Sequence, residues 1–381
     1  MIYFDQAATS FPKPPEVVQA MTEVMTDYAA NPGRGGHALS RRANDMIIQT
    51  REQLADFFGF DYPERVCFTA NATASLNQAI KGFQFAEGDH VLTTSYEHNS
   101  VRRPLEYLKK VIGIEVDYLN IAEAEEFDRE AFRQAIQPNT KMIIVSHGSN
   151  LTGNIVPIAM IGEIAKQKGI TFLVDASQTA GILPIHMGEM GIDLLAFPGH
   201  KGLLGPQGTG VLMVGEGMEL TPLYHGGTGS SSELIDQPDQ LPERLESGTL
   251  NTPGIAGLLA GLGAIKKMGL LEIRKHEQKL TEMLIKGLGQ IDYVSVYGPA
   301  ERLGVIPFTI EGIDAQEIAI ILDQHYHIAV RAGLHCTPLG HETIGTSSTG
   351  AVRLSVGPYN TEDEVYKVIQ AIEEIVEGYF G

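Results

Sequence analysis

Lys201 follows the apolar run Asp193-Leu194-Leu195-Ala196-Phe197 and stands among glycines in Pro198-Gly199-His200-Lys201-Gly202. A lysine held at the end of a buried strand can lose its proton and attack a carbonyl as a free amine. A solvated loop lysine is the plain alternative. Asp175 closes a second run, Thr171-Phe172-Leu173-Val174, and Gln178 follows three residues later. An acid at that place either caps a loop or faces a ligand. The stretch Thr69-Ala70-Asn71-Ala72-Thr73 follows a strand and opens a helix. Backbone N–H groups there, with the Thr73 hydroxyl, suit a phosphate, and an ordinary Thr N-cap is the alternative. The glycine-rich stretch 202–210 lacks the Gly-Lys-Ser/Thr ending of a P-loop, so a nucleotide phosphate loop is not expected there.

These residues must be positioned by a regular scaffold, and the pattern supplies one. Short apolar runs at 65–69, 90–94, 141–146 and 171–175 alternate with helical patterns at 75–83, 100–111 and 158–168. Runs without strict alternation fit strands covered on both faces, as in a mainly parallel sheet, where ligands gather at the carboxyl ends. The expected class is therefore α/β. A long helical stretch from Gly254 to about Gln290 follows, then strands near 294, at 305–310 and at 351–356 mix with helices at 315–322 and 361–378. We read residues 15–260 as a large domain, and residues 1–14 with 261–381 as a smaller α+β domain.

Composition narrows the function classes. The 381 residues are 43% hydrophobic and 20% charged, with a net charge of −19. Such a surface repels nucleic acid and anionic membranes, so neither is expected as a partner. The start lacks the basic and apolar regions of a signal peptide, and no apolar stretch is long enough to span a bilayer. A cytoplasmic protein without a structural metal is the natural reading.

A phosphate cradle, a strand-end Asp, a Gln three residues on and a strand-end Lys together form a pyridoxal 5'-phosphate inventory. At this point the chain resembles the class V, fold-type I pyridoxal-phosphate enzymes, in particular cysteine desulfurases and selenocysteine lyases. The resemblance runs through Phe4-Asp5-Gln6-Ala7-Ala8-Thr9, Asn31-Pro32-Gly33-Arg34-Gly35-Gly36-His37, Ala72-Thr73 and Glu97-His98-Asn99. It continues with Ser149-Asn150-Leu151-Thr152-Gly153, Val174-Asp175-Ala176-Ser177-Gln178 and Gly199-His200-Lys201. It ends on Glu246-Ser247-Gly248-Thr249-Leu250-Asn251, Arg331-Ala332-Gly333-Leu334-His335-Cys336 and Val352-Arg353-Leu354-Ser355.

The resemblance implies a role for each matched position, beginning with Lys201 as the Schiff-base lysine and the base at the substrate carbon. Asp175 pairs with the pyridine nitrogen, Gln178 with the ring hydroxyl, and His98 stacks on the ring face and relays protons as a third catalytic residue beside Lys201 and Cys336. Asn150 sits near the ring hydroxyl and the substrate carboxylate, which Arg353 clamps and Arg34 helps to bind. Ala72, Thr73 and His200 hold the phosphate, joined by Thr249 from the partner subunit of a homodimer. Cys336 attacks the sulfur of L-cysteine, giving L-alanine and an enzyme persulfide, whereas Cys67, in mid-strand, is inert. The short stretch between Cys336 and Arg353 resembles desulfurases that pass sulfur to an acceptor protein. Three positions depart from the usual pattern: Pro198 replaces a phosphate-binding Ser, Asn71 a Gly, and Ala74 a Glu.

The alternatives are a class V aminotransferase or a lyase on another amino acid, selenocysteine included, which would not need Cys336. A catalytically idle, cofactor-loaded scaffold and a nucleotide-binding module built on the glycine-rich loop are further rivals.

Overall fold

The computed structural model describes residues 1–33, 35–121, 127–229 and 233–381. The chain begins with a short strand, β1 (Ile2–Tyr3), and helices α1 (Pro15–Asp27) and α2 (Ala38–Phe57). It then runs through β2 (Val66–Thr69), α3 (Ala72–Gly82), β3 (His90–Thr94), α4 (Asn99–Val111), β4 (Glu115–Leu119) and α5 (Arg129–Ala135). Next come β5 (Thr140–Ser146), α6 (Ile158–Lys168), β6 (Thr171–Asp175), β7 (Leu194–Pro198) and β8 (Gly210–Val214). Seven strands form one sheet in the order β2-β8-β7-β6-β5-β3-β4, parallel except at β8, which is antiparallel to both neighbours.

Side chains alternate across this sheet with period two. Ile143, Val145, Phe172, Val174, Leu195 and Phe197 enter one core with residues of α2 and α6. Met142, Ile144, Leu173, Leu194 and Ala196 enter the opposite core with residues of α3 and α4. Both faces are therefore dry, which is why these strands read as unbroken apolar runs.

The stretch read as one helix from Gly254 onward is two helices, α7 (Thr252–Met268) and α8 (Leu270–Leu288), bent by 79°. Gly269 lies between them at φ 86° and ψ 122°, a conformation open to a residue without Cβ. The bend lets α7 and Ile273 pack on the core of the large sheet, while Leu280, Leu284 and Leu288 join a second core.

The remaining elements are β9 (Val294–Val296), β10 (Val305–Ile310), α9 (Ala315–Tyr326), β11 (Ile328–Ala329) and β12 (Arg331–Gly333). After them come α10 (Pro338–Thr343), β13 (Ala351–Ser355) and α11 (Glu362–Phe380). An antiparallel sheet, β12-β13-β10-β9, packs against α8, α9 and α11. The chain start joins this unit: β1 pairs with β11, and Phe4 is fully buried in its core. No single described helix is long and apolar enough to cross a membrane.

A buried ion pair ties the segment carrying Thr249 to the large sheet. Arg51 of α2 donates from Nη1 and Nη2 to the two carboxylate oxygens of Glu246, at 2.8 and 2.6 Å. Glu246 also accepts the Phe68 N–H of β2. Removing one partner leaves the other charge buried and alone, which typically costs about 3–5 kcal/mol. Glu246→Ala should therefore lower the unfolding free energy measured by urea titration by an amount of that order, with Glu246→Gln falling between variant and parent.

Candidate active site

The parallel strands of the large sheet end on one side, and the candidate residues sit just beyond those ends. Thr69, Gly210 and Pro198 lie in one row across β2, β8 and β7, and Ser146 stands opposite Asp175 across β5 and β6. A cavity opens there. It is lined by Ala72, Thr73, His98, Asn150, Asp175, Gln178, His200 and Lys201, together with Asn71, Ser100, Ser146 and Ser177.

Lys201 sits in a tight loop whose glycines are required by space. A Cβ on Gly199 would stand 2.3 Å from Thr209 Oγ1, and one on Gly202 would stand 2.4 Å from the Ala180 carbonyl oxygen. Burial lowers the Lys201 ammonium to about 8, against the opposing pull of Asp175. The carbonyl of His200 accepts four donors from the chain start: Ser10 N–H at 3.0 Å, Thr9 Oγ1 and Ser10 Oγ at 3.1 Å, and Lys13 Nζ at 2.7 Å. Sequence reasoning missed this clamp. Nothing local to either segment links residues nearly two hundred positions apart.

Asp175 is buried, and desolvation raises its carboxyl above the usual range. Its Oδ1 accepts the Ser177 N–H at 2.9 Å, and Lys201 is the cation that opposes the shift. Gln178 donates from Nε2 to the Ala7 carbonyl at 3.1 Å and keeps a second N–H.

Asn71, rather than Thr73, is the N-cap of α3, its Oδ1 accepting the Ala74 N–H at 2.9 Å. Asn71 is extended at φ −176° and ψ 171°, so the left-handed turn that a Gly-to-Asn change invites is not needed here. The N–H groups of Ala72 and Thr73 precede the first intrahelical hydrogen bond and have no partner within the helix. Thr73 Oγ1 lies 2.7 Å from Ser100 Oγ, which in turn lies 2.9 Å from His98 Nδ1. His98 Nδ1 accepts the Ser100 N–H at 3.0 Å, so the ring proton is on Nε2. Burial first, then Lys201, lowers His98 to about 4, and burial does the same to His200. Both imidazoles are neutral at pH 7.

Cys336, Arg353 and Thr249 do not line the cavity. Cys336 is half-buried in an adjoining loop, and its carbonyl accepts the Asn99 N–H at 2.8 Å, one residue after His98. Arg331 Nη2 approaches Cys336 Sγ at 3.8 Å. Asn150 borders the cavity, yet its amide is committed to the Cys336 loop. Nδ2 donates to the His335 carbonyl at 2.7 Å, and Oδ1 accepts from Thr337 Oγ1 at 2.6 Å.

Arg353 is fully buried, with Nη2 on Asp5 Oδ1 and Nη1 on the Asn150 carbonyl, both at 2.8 Å. Its fork is thus divided between two protein groups, while Nε is buried without a partner. Thr249 is exposed, and its neighbours Gly248 and Leu250 border a separate depression with Arg51 and Glu246. Arg34 and Ser230–Ser232 lie outside the described residues. Cys67 is buried in β2, and desolvation pushes its thiol far up.

The sequence model of the aminotransferase class-V family matches residues 2–368. A probable cysteine desulfurase of Methanothermobacter thermautotrophicus is 35% identical, over 98% of this chain and 94% of its own length. One of Pyrococcus abyssi is also 35% identical, over 99% and 94%. Among solved structures, an apo cysteine desulfurase from Thermococcus onnurineus superposes with a TM-score of 0.93 at 36% identity, covering 99% of this chain and 95% of that one. A cysteine desulfurase of Escherichia coli in an S-sulfonic acid form superposes with a TM-score of 0.89 at 25% identity, covering 98% and 94%.

Proposed function

We propose, from the premise that this chain belongs to the class V aminotransferase family, that it is a pyridoxal-phosphate-dependent cysteine desulfurase. It converts L-cysteine to L-alanine and keeps the sulfur as a persulfide on Cys336. The observation that carries this reading is the seating of Cys336. Its loop is anchored beside His98 and Asn150 at the cavity rim, with the Arg331 guanidinium turned toward the sulfur. A guanidinium beside the sulfur suits a cysteine that attacks another sulfur.

The cavity suits pyridoxal 5'-phosphate. A buried acid that faces Lys201, a lysine whose ammonium burial lowers to about 8, and a helix start with N–H groups outside the helical ladder all border it. Ala72, Thr73 and His200 would hold the phosphate, Asp175 the pyridine nitrogen and Gln178 the ring hydroxyl. His98 would lie on the ring face, and Lys201 would make the covalent link. When bound, the cofactor supplies an electron sink for the substrate carbon.

The chain's own groups do the rest. Lys201 would take the Cα proton as a neutral amine. Arg353 would clamp the substrate carboxylate, the role the resemblance implies, by giving up its contacts to Asp5 and the Asn150 carbonyl. The Cys336 thiolate attacks the substrate sulfur; an S–S bond forms as the Cβ–S bond breaks, and the electron pair stays with carbon. Cβ gains one proton, Cα regains the one it lost, and alanine leaves.

The exposed Thr249 reaching a second copy's phosphate would make the working unit a homodimer. The span from Cys336 to Arg353 is folded around α10, which suits transfer to a separate sulfur-acceptor protein rather than a swinging loop. A cytoplasmic setting suits two unpaired cysteines.

Incubating the purified protein with pyridoxal phosphate, L-cysteine and a thiol reductant should release alanine and sulfide in equal amounts. Amino-group transfer to a 2-oxo acid without sulfide would instead make it a class V aminotransferase. Turnover of selenocysteine alone would make it a selenocysteine lyase.

A further inference from the structure

Behind the Cys336 loop lies a buried pair of histidines to which neither the family resemblance nor the mechanism gives a role. His335 and His341 are 3% and 0% exposed, their rings nearly parallel with centroids 5.5 Å apart. The contacts form a line: His335 Nε2 lies 3.3 Å from the Arg331 carbonyl, His335 Nδ1 lies 3.2 Å from His341 Nε2, and His341 Nδ1 lies 2.7 Å from Thr346 Oγ1. A carbonyl only accepts, so His335 carries its proton on Nε2. His335 Nδ1 is then an acceptor, which requires the proton of His341 on Nε2. His341 Nδ1 in turn accepts from the Thr346 hydroxyl. One direction of donation satisfies every polar atom in the line.

The line ends on strained backbone. His335 and Cys336 both have positive φ, 50° and 59°, a region that side-chain-bearing residues rarely adopt. Such a pair persists only when its surroundings fix it. The His335 carbonyl is held by Asn150 Nδ2, its ring by His341, and the Cys336 carbonyl by the Asn99 N–H. Burial, with Arg353 and Arg331 facing His335, keeps His335 neutral, and burial does the same for His341.

We propose that His341, backed by Thr346, is a positioning residue for sulfur transfer: it fixes the tautomer of His335 and so holds Cys336 in the strained turn that aims its thiol. This rests on the reading of Cys336 as the nucleophile. A displaced thiol slows the attack on sulfur but leaves substrate binding at the cofactor untouched.

The test uses holoenzyme carrying His341→Ala, His341→Gln or Thr346→Val. Glutamine can donate from Nε2 as the imidazole does, and valine removes only the hydroxyl at the end of the line. Two quantities are measured, the L-cysteine concentration that half-saturates the change in the cofactor's visible band, and the single-turnover rate of persulfide formation on Cys336. We expect the first to stay within about twofold, while His341→Ala lowers the second by about 10- to 100-fold, as a misplacement on the order of 1 Å does. His341→Gln should recover most of that loss, and Thr346→Val should fall between. A persulfide rate within about threefold of the parent in all three variants overturns the proposal. So does a loss in His341→Gln as large as that in His341→Ala, which would mean that shape rather than donation matters. If His341→Ala does not fold, the other two variants decide. If Cys336→Ala itself turns over normally, the nucleophile assignment fails first, and this proposal falls with it.

Discussion

Lys201→Ala is expected to abolish covalent capture of pyridoxal phosphate and to lower alanine formation from L-cysteine by about 10^3-fold or more. The lysine supplies two things that no neighbour can replace. It is a primary amine lodged in the cavity, and burial brings its ammonium from 10.5 to about 8, so a usable fraction is unprotonated near neutral pH. The arginines that act on Lys201, Arg353 and Arg331, are guanidiniums that stay charged and make no imine. Lys201→Arg should be as inactive as the alanine variant for the same reason. The lowered value also sets a pH dependence. Desolvation favours the neutral amine, so the rate at which cofactor-free protein gains its visible band should rise with pH and level off above about 8. Borohydride reduction followed by peptide mapping should place the cofactor on the peptide containing Lys201 in the parent and nowhere in the variant. Retention of even a tenth of the parent turnover in Lys201→Ala would remove Lys201 from the mechanism.

Cys336→Ala should separate cofactor chemistry from sulfur transfer. The variant is expected to bind pyridoxal phosphate and to change its visible spectrum with L-cysteine, because Cys336 does not line the cavity. Sulfide and alanine release should fall on the order of 10^3-fold, since the atom that accepts the sulfur is gone. In the parent, mass spectrometry after one turnover should find one added sulfur on the peptide containing Cys336 and none on that containing Cys67. Cys67 is 1% exposed and its thiol is pushed far up by desolvation, so Cys67→Ala should leave turnover unchanged. Full sulfide release from Cys336→Ala would point instead to a lyase that expels sulfur directly.

The local features were legible because they follow from residue order alone. The strands at 90–94, 171–175 and 305–310 and the helix at 158–168 fall where the periodicity puts them. A buried strand or an amphipathic helix is specified by its own side chains. In the large sheet, two strands were not visible. In β4, exposed Glu115 and Asp117 alternate with partly buried residues, and β8 emerges from a glycine-rich run that masks its start. The helix read as continuous through 254–290 breaks at Gly269, whose conformation serves packing on two separate cores.

The site divides in the same way. Residue type and strand-end placement marked Lys201, Asp175, Gln178 and Thr73, since chemistry-bearing residues at the carboxyl ends of parallel strands have one side of the sheet on which to meet. The ordered motifs then supplied the family and a candidate nucleophile in Cys336. Asp5 appeared among those motifs without a role, yet it pairs with Arg353 across 348 positions. The clamp from Thr9, Ser10 and Lys13 onto His200, the commitment of the Asn150 amide to the Cys336 loop, and the line from Thr346 to His335 had no sequence signal at all. The sequence by itself determined which groups could do the chemistry and which elements would carry them. Tertiary structure alone decided which groups touch, because a hydrogen bond forms within about 3 Å, and strand order and domain docking, rather than sequence spacing, bring distant segments that close.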